Sequence, residues 1–161
     1  MKNIRKKLDD SVIPLTYNLV CTIRDAKTGK VKRKKTYHNL VVLVGRAAIA
    51  QQLANATATA NGILINYGAV GTSSTAAASS DTQLGAELTR KVISSRDVVS
   101  NVAYSTVYFA ASEANGTLRE VGFFCQGTAA ANSGTLMSRI IINIVKGATE
   151  TLTMDLILTV N

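Results

Sequence analysis

Glu113, Arg119 and Glu120 lie within one short stretch, EANGTLREVGFF over residues 113–124, where two carboxylates and a guanidinium flank a glycine turn. Paired carboxylates can hydrolyse a glycosidic bond, one protonating the leaving group while the other activates water. The two acids are separated by Asn115-Gly116, so they face each other only if that turn folds back tightly. A sugar cleft also wants stacking aromatics, and the chain has five tyrosines, three phenylalanines and no tryptophan. The other reading is architectural. Arg119 and Glu120 then enter an ion pair at the start of a core strand, with Glu87 or Arg90 of the preceding loop as partners, because a charge removed from water needs a counter-charge.

The remaining chemistry-bearing residues are sparse. His38 is the single histidine, which excludes a histidine triad or a multi-histidine metal site within one chain. Cys21 and Cys125 stand alone, without ligand or disulfide spacing, and read as small apolar residues of strands. Tyr67-Gly-Ala-Val-Gly-Thr-Ser73 lacks the G-K-[ST] ending of a phosphate-cradling loop, so its glycines read as points of close strand approach. No catalytic residue, metal ligand or cofactor site is expected.

Charge is placed unevenly. Residues 1–46 hold twelve Lys or Arg against three acids, +9, and residues 47–161 hold six against seven, −1, giving the net +8 of the chain. Lys27, Lys30, Lys32, Arg33, Lys34 and Lys35 concentrate that excess, with Tyr37 nearby. Such a cluster can keep a strand edge from aggregating, dock onto an acidic protein, or contact nucleic-acid phosphates. The first two are favoured over nucleic acid.

These residues need a scaffold, and the patterns that supply it are those of strands. Leu15, Tyr17, Leu19, Cys21 and Ile23 alternate at period two, and the turn Asp25–Lys30 leads to a returning strand over residues 31–44. A short helix is expected near residues 46–55, with Ile49 and Leu53 as its docking pair, then a loop over 54–62 and a buried strand over 63–72. Residues 73–80 read as a small-residue linker, and residues 81–90 as a helical turn with Asp81 at its N-cap and Leu84 and Leu88 on one face. A hairpin over 91–111 turning at Ser100-Asn101, a strand over 118–126, and a pair over 136–145 and 151–160 complete the series. This predicts an all-β antiparallel sandwich of seven or eight strands over residues 13–161, preceded by a basic arm over residues 1–12. No apolar run approaches the ~20 residues of a membrane-spanning helix, and the N-terminus lacks the apolar core of a signal peptide.

In order, Asn39-Leu-Val-Val, Gly45-Arg46, Tyr67-Gly-Ala-Val-Gly-Thr72, Asp81-Thr-Gln-Leu84, Glu87-Leu-Thr-Arg90 and the 113–124 stretch resemble a recurrent structural domain of tailed-bacteriophage virions. The resemblance covers roughly residues 16–160. It implies a non-enzymatic component of a tail, baseplate, collar or fibre, assembled in the host cytoplasm as a homo-oligomeric trimer or ring against other virion proteins. Capsid decoration is the alternative address on the particle, and a glycan-binding module the alternative class. The basic region would then dock onto an acidic surface of the particle.

Overall fold

The computed structural model describes residues 15–54 and 62–160, so the expected basic arm over residues 1–12 and most of the loop over 54–62 lie outside the described residues. Among the described residues, ten strands form two antiparallel five-stranded sheets packed as a sandwich, with one helix beside them. The strands are β1 (Leu15–Asp25), β2 (Val31–His38), β3 (Leu40–Val41), β4 (Ile65–Gly71), β5 (Glu87–Val92), β6 (Ser95–Val99), β7 (Val102–Phe109), β8 (Gly116–Cys125), β9 (Thr135–Lys146) and β10 (Glu150–Val160); the helix α1 (Leu43–Ala54) lies between β3 and β4. One sheet runs β2-β1-β10-β7-β6 and the other β3-β9-β8-β4-β5.

The period-two patterns place the main core. Tyr17, Leu19, Cys21 and Ile23 of β1 meet Leu152, Met154 and Leu156 of β10, and from the opposite sheet come Val121 and Phe123 of β8 with Ile140, Ile142 and Ile144 of β9. The ends of this face fall outside the core, since Leu15 and Val160 pair with each other and are both exposed. Phe109, Phe123 and the other fully buried side chains of this layer each remove apolar area from water, at ~25 cal/mol per Å2 the main favourable contribution to folding.

Several expected elements differ, among them the first arm of the 91–111 hairpin, whose residues 91–92 belong to β5 of the second sheet and residues 95–99 to β6 of the first. The strand expected over residues 31–44 stops at His38; the Asn39 N–H bonds the Tyr17 carbonyl as the last link to the first sheet, and β3 then joins the second sheet opposite Ser138 and Arg139. The apolar run Val41-Val-Leu-Val44 passes into α1, which begins at Leu43, three residues before the expected start. Gly45 permits this: a side chain there would lie 2.6 Å from the Met137 carbonyl, so only glycine lets the first helical turn rest on β9. Ile49 is half-buried as a docking residue should be; the side chain of Leu53, its expected partner, lies outside the described residues.

The helical turn expected over 81–90 is replaced by an irregular, bent segment over 81–86 followed by β5. Leu84 is buried and Leu88 is exposed, so the two do not share a face. The physical reason lies in backbone donors: the N–H groups of Gly85 and Ala86 go to the Glu120 carboxylate and are not available to a helical ladder. The β6–β7 hairpin turns at Ser100-Asn101 as expected, Ser100 taking a positive φ of 54°.

Candidate functional site

The second sheet has a covered outer face, built where sequence patterns predicted loops. Glu120 in β8 points away from the main core and is wholly buried. Its Oε1 accepts from the Ser73 N–H at 3.3 Å and the Ala86 N–H at 2.7 Å, and its Oε2 from the Gly85 N–H at 3.0 Å and Arg139 Nε at 2.8 Å. Gly71 stands opposite Glu120 in β4, and a Cβ there would come within 2.5 Å of the carboxylate oxygen, so the missing side chain makes room for the acid. The guanidinium of Arg139 continues outward, Nη1 reaching Asp81 Oδ2 at 2.8 Å and Nη2 the Thr75 carbonyl at 3.1 Å. The small-residue stretch 73–80 is thus fastened across the sheet by one arginine and two acids. Leu84, Val42, Ala69, Phe124 and Leu136 fill the space beneath it as a second, smaller apolar cluster.

A second arginine repeats the arrangement in β5, at the other edge of the same sheet. Arg90 binds Glu87 in two parallel bonds, Nε to Oε1 at 2.6 Å and Nη2 to Oε2 at 2.9 Å, with both side chains almost fully buried. Its Nη1 donates to the Thr128 and Ser133 carbonyls, the Asn132 N–H donates to Glu87 Oε2, and the guanidinium lies 4.4 Å from the Phe124 ring centre. A planar fork suits this combination of bidentate pairing and stacking. Each arginine therefore holds one loop on the sheet, Arg139 the 72–86 segment and Arg90 the 126–134 segment.

The expected pairings need correction in part. Glu87 and Arg90 pair with each other, and Glu120 with Arg139. Arg119, skipped by the strand register at the irregularity between Leu118 and Glu120, is half-buried and makes no ion pair among the described residues. Glu113 and Glu120 do not form a carboxylate pair. Glu113 binds Lys91 Nζ through both oxygens at 2.9 and 2.8 Å and accepts the Ala110 N–H, while all of the Glu120 bonds go to the other cluster. Lys91 and the Ala110 N–H hold the Glu113 carboxyl below its ordinary range.

Asp81 does not cap a helix. Burial raises its carboxyl, but the Ala78 N–H and Arg139 pull further the other way and leave it below the ordinary range; burial likewise weakens Arg139 as a cation, and Asp81 with Glu120 more than restores it. Arg139 and Lys146 are the functional residues sequence reasoning missed. A lone arginine inside Leu136-Met-Ser-Arg-Ile-Ile-Ile142 carries a usable signal, because a cation amid buried residues must have an acid facing it. Lys146, which lies between the expected strands over 136–145 and 151–160, is buried, and its Nζ donates to the Ala111 carbonyl at 3.2 Å and Asn115 Oδ1 at 2.9 Å, holding the Glu113–Gly116 turn against β9; burial lowers its pKa.

The basic cluster divides along β2, an edge strand. Arg33, Lys35 and Tyr37 pair with the core-facing Ile23, Cys21 and Leu19 and so point inward across the sandwich mouth. Arg33 Nη2 binds Glu150 Oε2 at 2.9 Å and the Val145 carbonyl at 2.8 Å. Inward charge on an edge strand is one way proteins block unwanted edge pairing. Lys32 lies 3.4 Å from Asp25 and 3.6 Å from Glu150. Lys27, Lys30 and Lys34 are exposed and make no side-chain ion pair among the described residues. His38 is a strand-surface residue bonded to Asn18 Oδ1. Among the described residues no group of three or more His, Cys, Asp or Glu could hold a metal.

Comparison with protein-family models, with curated proteins and with solved structures gave no match. The class defined by the geometry is therefore a fold class, an all-β antiparallel sandwich with two arginine-fastened surface loops and a cationic edge.

Proposed function

We propose that the chain is a structural component of a tailed-bacteriophage virion, an adaptor or fibre-attachment protein of the tail, collar or baseplate that assembles as a homo-oligomer and docks by its cationic edge onto an acidic surface of the particle. One observation carries the proposal. Gly71, Asp81, Glu87, Arg90 and Glu120, drawn from four separate pieces of the motif series, meet on the outer face of one sheet, the acids and Arg90 in two hydrogen-bond networks and Gly71 in the space it leaves for Glu120. The series then describes a single structural unit, and the unit is one whose acids are saturated by backbone N–H groups and arginines. A rigid sandwich with fastened loops suits repeated copies in a symmetric assembly, where weak edge contacts are multiplied. Lys27, Lys30, Lys32, Arg33, Lys34 and Lys35 of the cationic edge supply the charge for docking. Peptide mass spectrometry of purified particles tests the reading: the chain should be present in a fixed ratio to the other virion proteins, and its absence from the particles would overturn the proposal. Antibody labelling of the same particles separates a tail position from the alternative of capsid decoration.

A further inference from the structure

The second sheet lacks a strand alongside the C-terminal half of β9. Because the chain gives β3 only Leu40 and Val41, paired with Arg139 and Ser138, the outer edge of β9 from Ile140 onward has no neighbouring strand among the described residues. Side chains of β2 occupy that lane instead. Arg33 reaches the Val145 carbonyl, Lys35 Nζ reaches the Asn143 carbonyl at 3.4 Å, and the Asn143 N–H meets the Tyr37 hydroxyl at 3.5 Å. The last two are at the long limit for hydrogen bonds, so backbone groups of an incoming strand can replace them at little cost, and the Arg33 guanidinium must exchange the Val145 carbonyl, bonded at 2.8 Å, for an incoming carboxylate. Beside this edge lies a cleft of about 280 Å3 with Cys21, Ile23 and Ile144 in its floor and Arg33 and Lys35 at its rim.

We infer that this lane accepts an extended segment of a partner protein, added as a strand to the edge of β9 at Asn143–Val145, with acidic side chains at every second position facing Arg33 and Lys35. The inference rests on the docking role proposed above and specifies its place and chemistry. Main-chain bonds to an exposed sheet edge provide affinity in such strand addition, and pockets for alternate side chains provide selectivity. Alternation follows from strand geometry: only every second residue of an added strand points toward the cationic rim. The occupant must come from another protein. No two acids in this chain stand two positions apart, the segment preceding β1 carries Lys2, Arg5, Lys6 and Lys7 against Asp9 and Asp10, and a second copy would bring Lys32, Arg33, Lys34 and Lys35 of its own edge against like charge.

The test uses the full chain and two capped synthetic peptides of identical composition, one alternating threonine and glutamate, the other carrying its glutamates in one block. The alternating peptide should bind more tightly, slow amide exchange at Asn143, and weaken about tenfold when Arg33 and Lys35 are both changed to glutamine. Equal binding of the two peptides, protection of amides elsewhere, self-association in place of peptide binding, or indifference to the double substitution would each overturn the inference. Because an edge substitution can loosen the fold, the thermal midpoint of the double variant is measured alongside, and Lys35→Gln alone, which leaves the Arg33–Glu150 pair intact, should still weaken the alternating peptide. Presence of the chain in particles is measured separately, so a failed peptide experiment leaves the virion reading standing, and a particle lacking the chain leaves the strand-addition result standing.

Discussion

Arg139 sits diagonally across from Glu120 on neighbouring strands, its Nε 2.8 Å from the Glu120 Oε2, with both side chains sealed from solvent. The pair differs in what each member leaves behind when removed. Arg139→Met leaves Glu120 buried but still held by three backbone N–H groups, whereas Glu120→Leu strands those three donors and leaves Arg139 with Asp81 as its one acid beside the Thr75 and Ala76 carbonyls. Breaking a buried pair costs about 3–5 kcal/mol, and a buried donor without a partner adds about 1–3 kcal/mol. Urea-unfolding midpoints should therefore place Glu120→Leu below Arg139→Met, and amide exchange at Gly85 and Ala86 should quicken in the glutamate variant. Equal midpoints would mean that the backbone bonds to Glu120 contribute little.

Acid should weaken the fold through its paired carboxylates. Asp81, Glu113 and Glu150 all have carboxyls below their ordinary range, Glu150 first through the Gly147 N–H and then through Arg33. A folded-state pKa below the unfolded one means that the unfolded chain binds more protons. Stability is then fully present above the unfolded value of about 4 and declines as pH falls through the folded value. The urea midpoint should be flat from about pH 7 to 5 and drop below about pH 4. Asp81→Asn should make that drop shallower, and an unchanged acid limb in this variant would show that the Asp81–Arg139 bond does not contribute to it.

The main core was legible because strands buried on one face announce themselves at period two, as in Leu19, Cys21, Ile23 against Leu152, Met154, Leu156. The break at Asn39 was not legible. Val41-Val-Leu-Val44 is apolar without alternation, a pattern that a buried strand and the first turn of a docked helix share, and only the approach of Gly45 to Met137 decides between them. The 81–90 segment misled for a related reason: Asp81 followed by Leu84 and Leu88 has the local form of a capped helix, and the competitor for its N–H groups, Glu120, lies thirty-odd residues away in sequence. Of the candidate site, acids and arginines at 87, 90 and 120 were visible as needing partners, but Arg139 was hidden in a strand read for its apolar residues.

The two cysteines should be inert while the protein is folded. Burial pushes both thiols up to about 12, aided at Cys21 by the Asp155 carboxylate, and Cys125 Sγ additionally donates to the Ile63 carbonyl at 2.9 Å. Thiolate is the reactive species, so at pH 8 neither residue should be alkylated in the native protein, and both should be in denaturant. Intact mass after iodoacetamide treatment reads the outcome directly. Rapid native labelling of Cys21 would show that the cleft between β2 and β9 opens to solvent.

The basic edge should separate into charges that also hold the fold and charges that do not. Arg33 holds Glu150, whose side chain is only 10% exposed, and caps the Val145 carbonyl, whereas Lys30 and Lys34 are exposed without an ion-pair partner among the described residues. Arg33→Gln should lower stability by about 1 kcal/mol, the upper end for a solvent-accessible pair, while Lys30→Glu with Lys34→Glu should stay within about 0.5 kcal/mol of the parent. If the edge docks onto an acidic surface, the lysine double variant should nevertheless be depleted from assembled particles relative to the parent, because reversing two charges converts attraction into repulsion without touching the core. Thermal melting paired with quantitative mass spectrometry of particles distinguishes the cases. Normal incorporation of the folded double variant would remove Lys30 and Lys34 from the docking surface.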